Sequence, residues 1–272
     1  MVIFYFSGTG NTRYASEYLN EKMNDLGKTC EVVDIVGLSS QIAKTLIEEN
    51  DIVFLAYPIY GSDMPDNMMR FIEEMPDGKG KSLGVVCTQM LFSGDGASIM
   101  WKKLKNKGYV QKWAYQINMP NNLCMKGSPL GQNSDYEYIE KKYLIKARAI
   151  VDEIANFVVE DKIKIKDHGF FHWLAAQTQR PLYRKSLKKT YVHGLGVDEA
   201  KCNLCEICVR ICPNDVIVND NKIIFENKDA CTVCFRCLDF CPQSAITYKG
   251  GVKEPLYKGP TKQIFNSIIK NK

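Results

Sequence analysis

One twelve-residue spacing, C-x-x-C-x-x-C-x-x-x-C-P, occurs twice, once from Cys202 to Pro213 (C-N-L-C-E-I-C-V-R-I-C-P) and again from Cys231 to Pro242 (C-T-V-C-F-R-C-L-D-F-C-P). Eight of the chain's eleven cysteines lie in this repeat, and no other feature restricts the fold as tightly. Thiolates three residues apart on a tight loop can face one iron–sulfur cube, whereas a fourth cysteine followed by proline turns away toward a second cube. The spacing therefore specifies crossed ligation. Cys202, Cys205, Cys208 and Cys241 are assigned to one [4Fe–4S] cluster, and Cys231, Cys234, Cys237 and Cys212 to the other. Zinc sites usually use two separated C-x-x-C pairs or include histidine, and have no need of a third cysteine at the same step plus Cys-Pro, twice over. Disulfides would require an exported chain.

The span from about Gly196 to Gly250 resembles the two-cluster bacterial ferredoxins, which implies a small α+β fold holding both cubes. His193 lies close to its start and reads as structural, because eight cysteines already satisfy two cubes.

A length of 272 residues leaves room for a domain with its own core ahead of this module. The N-terminal Met1-Val2-Ile3-Phe4-Tyr5-Phe6 is apolar without a basic leader and runs into Ser7-Gly8-Thr9-Gly10, so it reads as a first strand and not as a signal peptide. No apolar run approaches the roughly 20 residues of a membrane span. The expected setting is cytoplasmic, reducing and anaerobic, since air oxidises low-potential clusters.

Val2 to Phe6 are followed by Ser7-Gly8-Thr9-Gly10-Asn11-Thr12 and then by a helical segment from Arg13 to Leu26. A strand ending in a small, hydroxyl-rich loop that opens a helix is an anion site, where N–H groups, hydroxyls and the helix dipole converge. Two other phosphate loops are excluded by inspection: there is no lysine for a P-loop, and no third glycine for a dinucleotide fingerprint. The remaining pattern, S-x-T-G-x-T after a first strand, resembles the phosphate loop of the flavodoxin family. That resemblance covers residues 1–160 and implies an FMN site in which Ser7, Thr9, Gly10, Asn11 and Thr12 hold the phosphate.

The strand–helix rhythm continues in this half, with strands expected at Cys30 to Ile35, Ile52 to Tyr57, Ser82 to Thr88 and Trp113 to Met119. Helices are expected at Ser39 to Glu49, Met64 to Glu74, Ala97 to Lys107 and Tyr136 to Val159. The fold class is therefore α/β: a flavodoxin-like, doubly wound, five-stranded parallel sheet, with the small ferredoxin-like domain behind it. In such a sheet the ligand lies beyond the carboxyl ends of the strands. After strand three come Pro58, Ile59, Tyr60 and Gly61; after strand four come Thr88, Gln89, Phe92, Ser93, Gly94, Asp95 and Gly96. The resemblance implies that these loops sandwich the isoalloxazine ring, with Tyr60 and Phe92 against it and glycine backbone approaching its polar edge. The same residues could equally be a surface turn and core aromatics. Asn118 to Asn122, after strand five, is a candidate to close the site. Cys30 and Cys87 read as small core hydrophobes, and Cys124 as a loop thiol near the flavin mouth.

The net charge of +5 is unevenly distributed. Residues 1–160 carry 17 basic and 20 acidic side chains and residues 196–250 carry 6 and 8, so neither candidate module has a basic excess and nucleic acid is not an expected partner. The connector 161–195 carries 8 and 2, and the tail 251–272 carries 5 and 1. In the connector, His168 to Leu174 and Arg180 to Lys185 join aromatics to a basic run. It is expected to dock its aromatics on the first domain, with an interfacial membrane helix as the competing reading. In the tail, Ile264, Phe265, Ile268 and Ile269 share a helix face that folds back or meets a partner.

Joining the modules in one chain makes electron exchange between them intramolecular. An electron carrier serving a redox partner protein is the leading expectation. A flavin-dependent oxidoreductase acting on a small molecule and a redox sensor stand beside it, and a homo-oligomer remains open. No paired acid and base or activated nucleophile stands out near the flavin loops.

Overall fold

Val2, Ile3, Phe4 and Tyr5 are aromatic or β-branched to the last residue, and all four are buried in β1 (Val2–Tyr5). The computed structural model describes residues 1–92, 94–126, 134–166 and 169–270. They form two compact units. The first comprises Met1–Ser7, Asn11–Met119 and Tyr143–Arg180; the second comprises Gly8–Gly10, Pro120–Lys142 and Pro181–Lys272.

Among the described residues the first unit builds one parallel sheet in the order β2-β1-β3-β4-β5-β6, from β2 (Glu31–Asp34), β3 (Ile52–Pro58), β4 (Ser82–Gln89), β5 (Val110–Asn118) and β6 (Lys164–Ile165). This is the flavodoxin-like order with a sixth strand at the edge beyond the expected five. Two residues are too few to carry an alternating pattern, which is why the sixth strand is silent in the sequence. The helices of this unit are α1 (Asn11–Asp25), α2 (Ser40–Glu49), α3 (Asp66–Glu74), α4 (Trp101–Asn106), α6 (Ile145–Val159) and most of α7 (Gly169–Leu182). Ser39 caps α2 by accepting the Ile42 N–H at 3.3 Å.

Packing in the sheet is set by one glycine. Phe54, Gly84 and Trp113 are register partners across β3, β4 and β5, and the two rings stack at 5.7 Å over the bare position between them. A Cβ on Gly84 would meet the Phe54 ring at 2.2 Å. On the other elements, Phe4 of β1 packs on Phe71 of α3 at 4.9 Å, and Arg148 of α6 bonds the Tyr14 hydroxyl of α1 at 2.8 Å.

The second unit contains two antiparallel pairs, β7 (Leu195–Val197) with β10 (Ile246–Tyr248) and β8 (Ile217–Asn219) with β9 (Ile223–Phe225). Its helices are α5 (Tyr136–Ile139), α8 (Lys188–Gly194), α9 (Ile207–Arg210), α10 (Arg236–Asp239) and α11 (Lys262–Lys270). Leu195, Val216, Ile217, Ile223, Leu238 and Ile246 form its core together with cysteines of the repeat. The tail folds back within this unit: Ile264 and Ile268 of α11 are buried, and Phe265 meets Phe240 edge-on at 5.3 Å. No helix among the described residues is long and apolar enough to cross a membrane.

Candidate functional site

The sequence repeat is also a backbone repeat. Leu204, Glu206 and Asp215 have φ of 58°, 58° and 51°, and their counterparts Val233, Phe235 and Ser244 have 58°, 57° and 46°. A left-handed conformation is unfavourable for bulky side chains and worst for β-branched Val233, and strain of this kind persists where function requires it. Within the second C-x-x-C-x-x-C loop and after each Cys-Pro step, backbone N–H groups turn toward sulfur. Val216 N–H donates to Cys212 Sγ at 3.4 Å and Ala245 N–H to Cys241 Sγ at 3.2 Å, the same bond in each repeat; Val233 N–H donates to Cys231 Sγ at 3.4 Å. Cys212, Cys231, Cys234 and Cys237 line a single cleft with Phe225 and Phe235. Burial pushes the Cys234 thiol up to about 12, and Cys231 and Cys212 push the same way, against Arg236. Burial pushes Cys208 up to about 11, with Cys241, Cys205 and Cys202 as thiol neighbours acting in the same direction. One cleft thus brings Cys212 of the first motif together with Cys231, Cys234 and Cys237 of the second. Soft thiolate donors with N–H···S bonds are a donor set suited to iron–sulfur cubes.

Among the expected phosphate-loop residues, Ser7, Thr9 and Thr12 are buried, and Asn11 opens the fifteen-residue α1, whose first turn has no acidic side chain to oppose an anion. The Thr12 and Thr88 hydroxyls share a 2.7 Å hydrogen bond, joining the start of α1 to the end of β4. Gly8–Gly10 belong to the second unit, where Arg236 Nε donates to the Gly8 carbonyl at 2.8 Å. Gly10 has φ of 101°, and a Cβ there would meet Ile264 Cγ2 at 2.4 Å. Only glycine fits this position.

The loop after β3 is a tight reversal, with Tyr60 and Asp63 exchanging backbone hydrogen bonds at 2.8 and 3.1 Å around Gly61 (φ 60°) and Ser62 (φ 59°). Ile59 N–H bonds the Thr88 carbonyl at 2.9 Å, tying the ends of β3 and β4; Pro58 is the last residue of β3. The loop after β4 is held from below by the buried Tyr57 hydroxyl, which donates to the Gly96 carbonyl at 2.9 Å. Ser93 lies outside the described residues.

Helix α7, from the connector, bridges these two loops within the first unit. Arg180 donates from Nε to the Ser62 carbonyl at 3.0 Å, lies 3.5 Å from Asp63 Oδ1, and pairs with Asp95. Ser62 Oγ bonds Gln179 Oε1 at 2.5 Å, Gly94 lies against Ala176, and Phe92 stacks on His172 at 5.1 Å. Sequence reasoning expected the connector to dock on the first domain but did not single out these contacts. Arg180, Gln179 and His172 carry no motif, and the sole signal was the basic, aromatic composition of their segment.

The residues at the strand ends fit a flavin in one further respect. Gln89 Nε2 donates to Asn118 Oδ1 at 2.9 Å, but the buried Gln89 Oε1 has no hydrogen-bond partner. A buried acceptor left in this way is suited to an imide N–H such as the isoalloxazine ring carries. Asn122, expected to close the flavin site, instead donates to the Cys234 carbonyl at 3.2 Å within the second unit. Cys124 is a core thiol raised by burial and by Asp239, and Cys87 is likewise buried and raised. Neither has the electropositive, accessible surroundings of a reactive cysteine.

Comparison with known proteins places both halves. Residues 2–121 match the family model of a flavodoxin domain, and residues 201–246 that of a 4Fe-4S dicluster domain. A ferredoxin from Methanothermococcus thermolithotrophicus is 40% identical over 56 residues, covering 20% of this chain and 93% of that protein. The beta subunit of adenylylsulfate reductase from Megalodesulfovibrio gigas is 39% identical over 59 residues, 19% of this chain and 35% of that subunit. The chain therefore spans about a third of the reductase subunit. Among solved structures, the two-electron reduced flavodoxin of Megasphaera elsdenii aligns over 57% of this chain and 99% of its own, at 19% identity and a TM-score of 0.41.

Proposed function

The chain is a flavodoxin–ferredoxin fusion whose C-terminal module belongs to the 4Fe-4S dicluster ferredoxins, and from that premise we propose that it relays electrons among a low-potential donor, two [4Fe–4S] clusters, FMN and a partner protein. Its cofactors are FMN and the two clusters. When bound, FMN takes one or two electrons and each cube passes one, which lets a single chain interconvert one- and two-electron traffic.

The residues divide the work. Cys202, Cys205, Cys208 and Cys241 hold one cube, and Cys212, Cys231, Cys234 and Cys237 the other, with the backbone N–H groups of Val216, Val233 and Ala245 bonded to sulfur. Such bonds are among the determinants of cluster potential. Ser7, Thr9, Gly10, Asn11 and Thr12 hold the phosphate at the start of α1; Pro58–Gly61, Thr88, Gln89, Phe92 and Gly94–Gly96 frame the ring.

One observation favours the carrier over a small-molecule oxidoreductase. The two ring loops are bridged by α7 through Arg180, Gln179, Ala176 and His172, instead of standing apart as walls of an open cleft. An enzyme must admit substrate over the ring, whereas a carrier needs only a ring edge within reach of its partner. The test is steady-state and pre-steady-state reduction with a soluble low-potential donor, in the native chain and in Cys205→Ala. The relay requires that loss of one cube slow flavin reduction by the donor while flavin content stays at one per chain. Equal rates in the two proteins would show that electrons bypass that cluster.

A further inference from the structure

The connector was expected to lay its aromatics on the first domain. In the structure α7 does dock, but of those aromatics only His172 takes part among the described contacts. His172, Ala176, Gln179 and Arg180 make its contacts to the loops after β3 and β4. At about 100° per residue these four fall within one arc of about 100°. Phe170, Phe171, Trp173 and Leu174 fall on the complementary arc, and they are 66%, 82%, 47% and 46% exposed. Phe170 touches both Phe171 and Trp173, with ring centroids 5.9 and 5.8 Å apart, so the aromatics form one contiguous ridge. The clamp on the opposite arc prevents the helix from rolling this ridge inward.

We propose that the ridge on α7, with the basic run that follows it, is a peripheral anchor for an anionic lipid bilayer. Three observations select that occupant. The exposed groups are large and contiguous on one helix face, the arrangement with which an interfacial helix sinks into the headgroup–acyl boundary. They are Phe and Trp, the side chains suited to the headgroup boundary. The charge that follows the ridge is one-signed: from Pro181 to Val197 the chain carries Arg184, Lys185, Lys188 and Lys189 and no Asp or Glu. Cations that follow an apolar ridge within a few residues of chain add attraction to anionic headgroups, and two such signals together give stable anchoring where either alone is marginal. Ile165 of β6 and Ile163 just before it, on the approach to the segment, are also exposed. Anchoring would bring the chain's electron exchange to the bilayer surface without a spanning helix.

The experiment is anaerobic co-sedimentation of the holoprotein with vesicles of phosphatidylcholine alone and of phosphatidylcholine mixed with phosphatidylglycerol. Binding is expected to the mixed vesicles, to fall as salt rises toward about 1 M, and to weaken at least about tenfold in the double variant Phe171→Glu, Trp173→Glu. Flavin and cluster absorbance report that the variant is folded. In the native protein, brominated lipid should quench Trp173, a check that needs no variant. Failure to sediment with the mixed vesicles at low salt overturns the proposal. So does undiminished binding by the folded double variant, which would assign the affinity to the basic tail. Absence of vesicle binding together with a concentration-dependent dimer that the variant abolishes would make the ridge a self-association surface.

Discussion

Arg180→Ala should release the loops after β3 and β4, which we propose frame the flavin ring, and the structure sets the size of the effect. Arg180 is mostly buried and serves three acceptors: the Ser62 carbonyl at 3.0 Å, Asp63 at 3.5 Å and Asp95. The Asp63 side chain is only 2% exposed, so truncating its partner strands a carboxylate away from water. Breaking a buried pair in this way costs about 3–5 kcal/mol. Asp63 keeps the Met64 N–H at 3.0 Å, which offsets part of that loss, and the Asp95 pair is more accessible and adds about 1 kcal/mol or less. The expected net cost is about 3 kcal/mol. Because two units and three redox groups make global unfolding a poor two-state process, local opening is the quantity to measure. Amide hydrogen exchange at residues 60–64 and 94–97 should accelerate about a hundredfold, as about 3 kcal/mol of local opening energy requires. Adding Asp63→Asn to Arg180→Ala removes the stranded charge and should recover about 1–2 kcal/mol. If Arg180→Ala leaves exchange within about 0.5 kcal/mol of native, or if Asp63→Asn gives no relief, the clamp does not hold these loops and the reasoning fails.

Other perturbations separate the remaining parts of the account. Cys205→Ala should lower iron from about eight to about four per chain with FMN retained, and an unchanged iron count would sink the ligand assignment. The paired substitution Thr9→Ala, Thr12→Ala should weaken FMN binding by at least about tenfold with iron unchanged; equilibrium dialysis giving native affinity would move the phosphate elsewhere. Gly10→Ala should cost about 2–4 kcal/mol through its positive φ and its clash with Ile264, and Ile264→Ala should restore only the steric part, as read by amide hydrogen exchange around Gly10 in the double variant. Cys87 and Cys124 should resist alkylation in the native protein at neutral pH, because burial holds both thiols far above their ordinary pKa; mass spectrometry finding either modified early would show that its site opens.

The cluster motif was legible because its spacing is covalent: no folding step is needed to place three thiols at intervals of three residues. What the motif concealed was the left-handed backbone at Leu204, Glu206, Val233 and Phe235, since nothing in those side chains favours positive φ. Short apolar runs revealed strands β1 to β5, yet the register that sets Gly84 between Phe54 and Trp113 depends on partners 29 or more residues away. The loop after β3 was half legible: Gly61 announces a turn, whereas Ser62 at φ 59° is held there by the Tyr60–Asp63 bonds and Gln179. The connector misled most. Its aromatics suggested an inward face by the usual rule for large apolar side chains, but ion pairing of Arg180 with Asp63 and Asp95 fixes the opposite face inward. Charge pairing between segments far apart in sequence leaves no periodic trace.

The central claim is that electrons pass between clusters and flavin inside one chain. Its most direct test is an anaerobic stopped-flow experiment on protein first assayed for FMN, iron and sulfide, following flavin absorbance and cluster signals after a substoichiometric pulse of reductant. The account predicts one FMN and about eight irons per chain, and redistribution of electrons between the centres at a rate independent of protein concentration. Exchange that slows in proportion as the protein is diluted, or that begins only when a third protein is added, would contradict it.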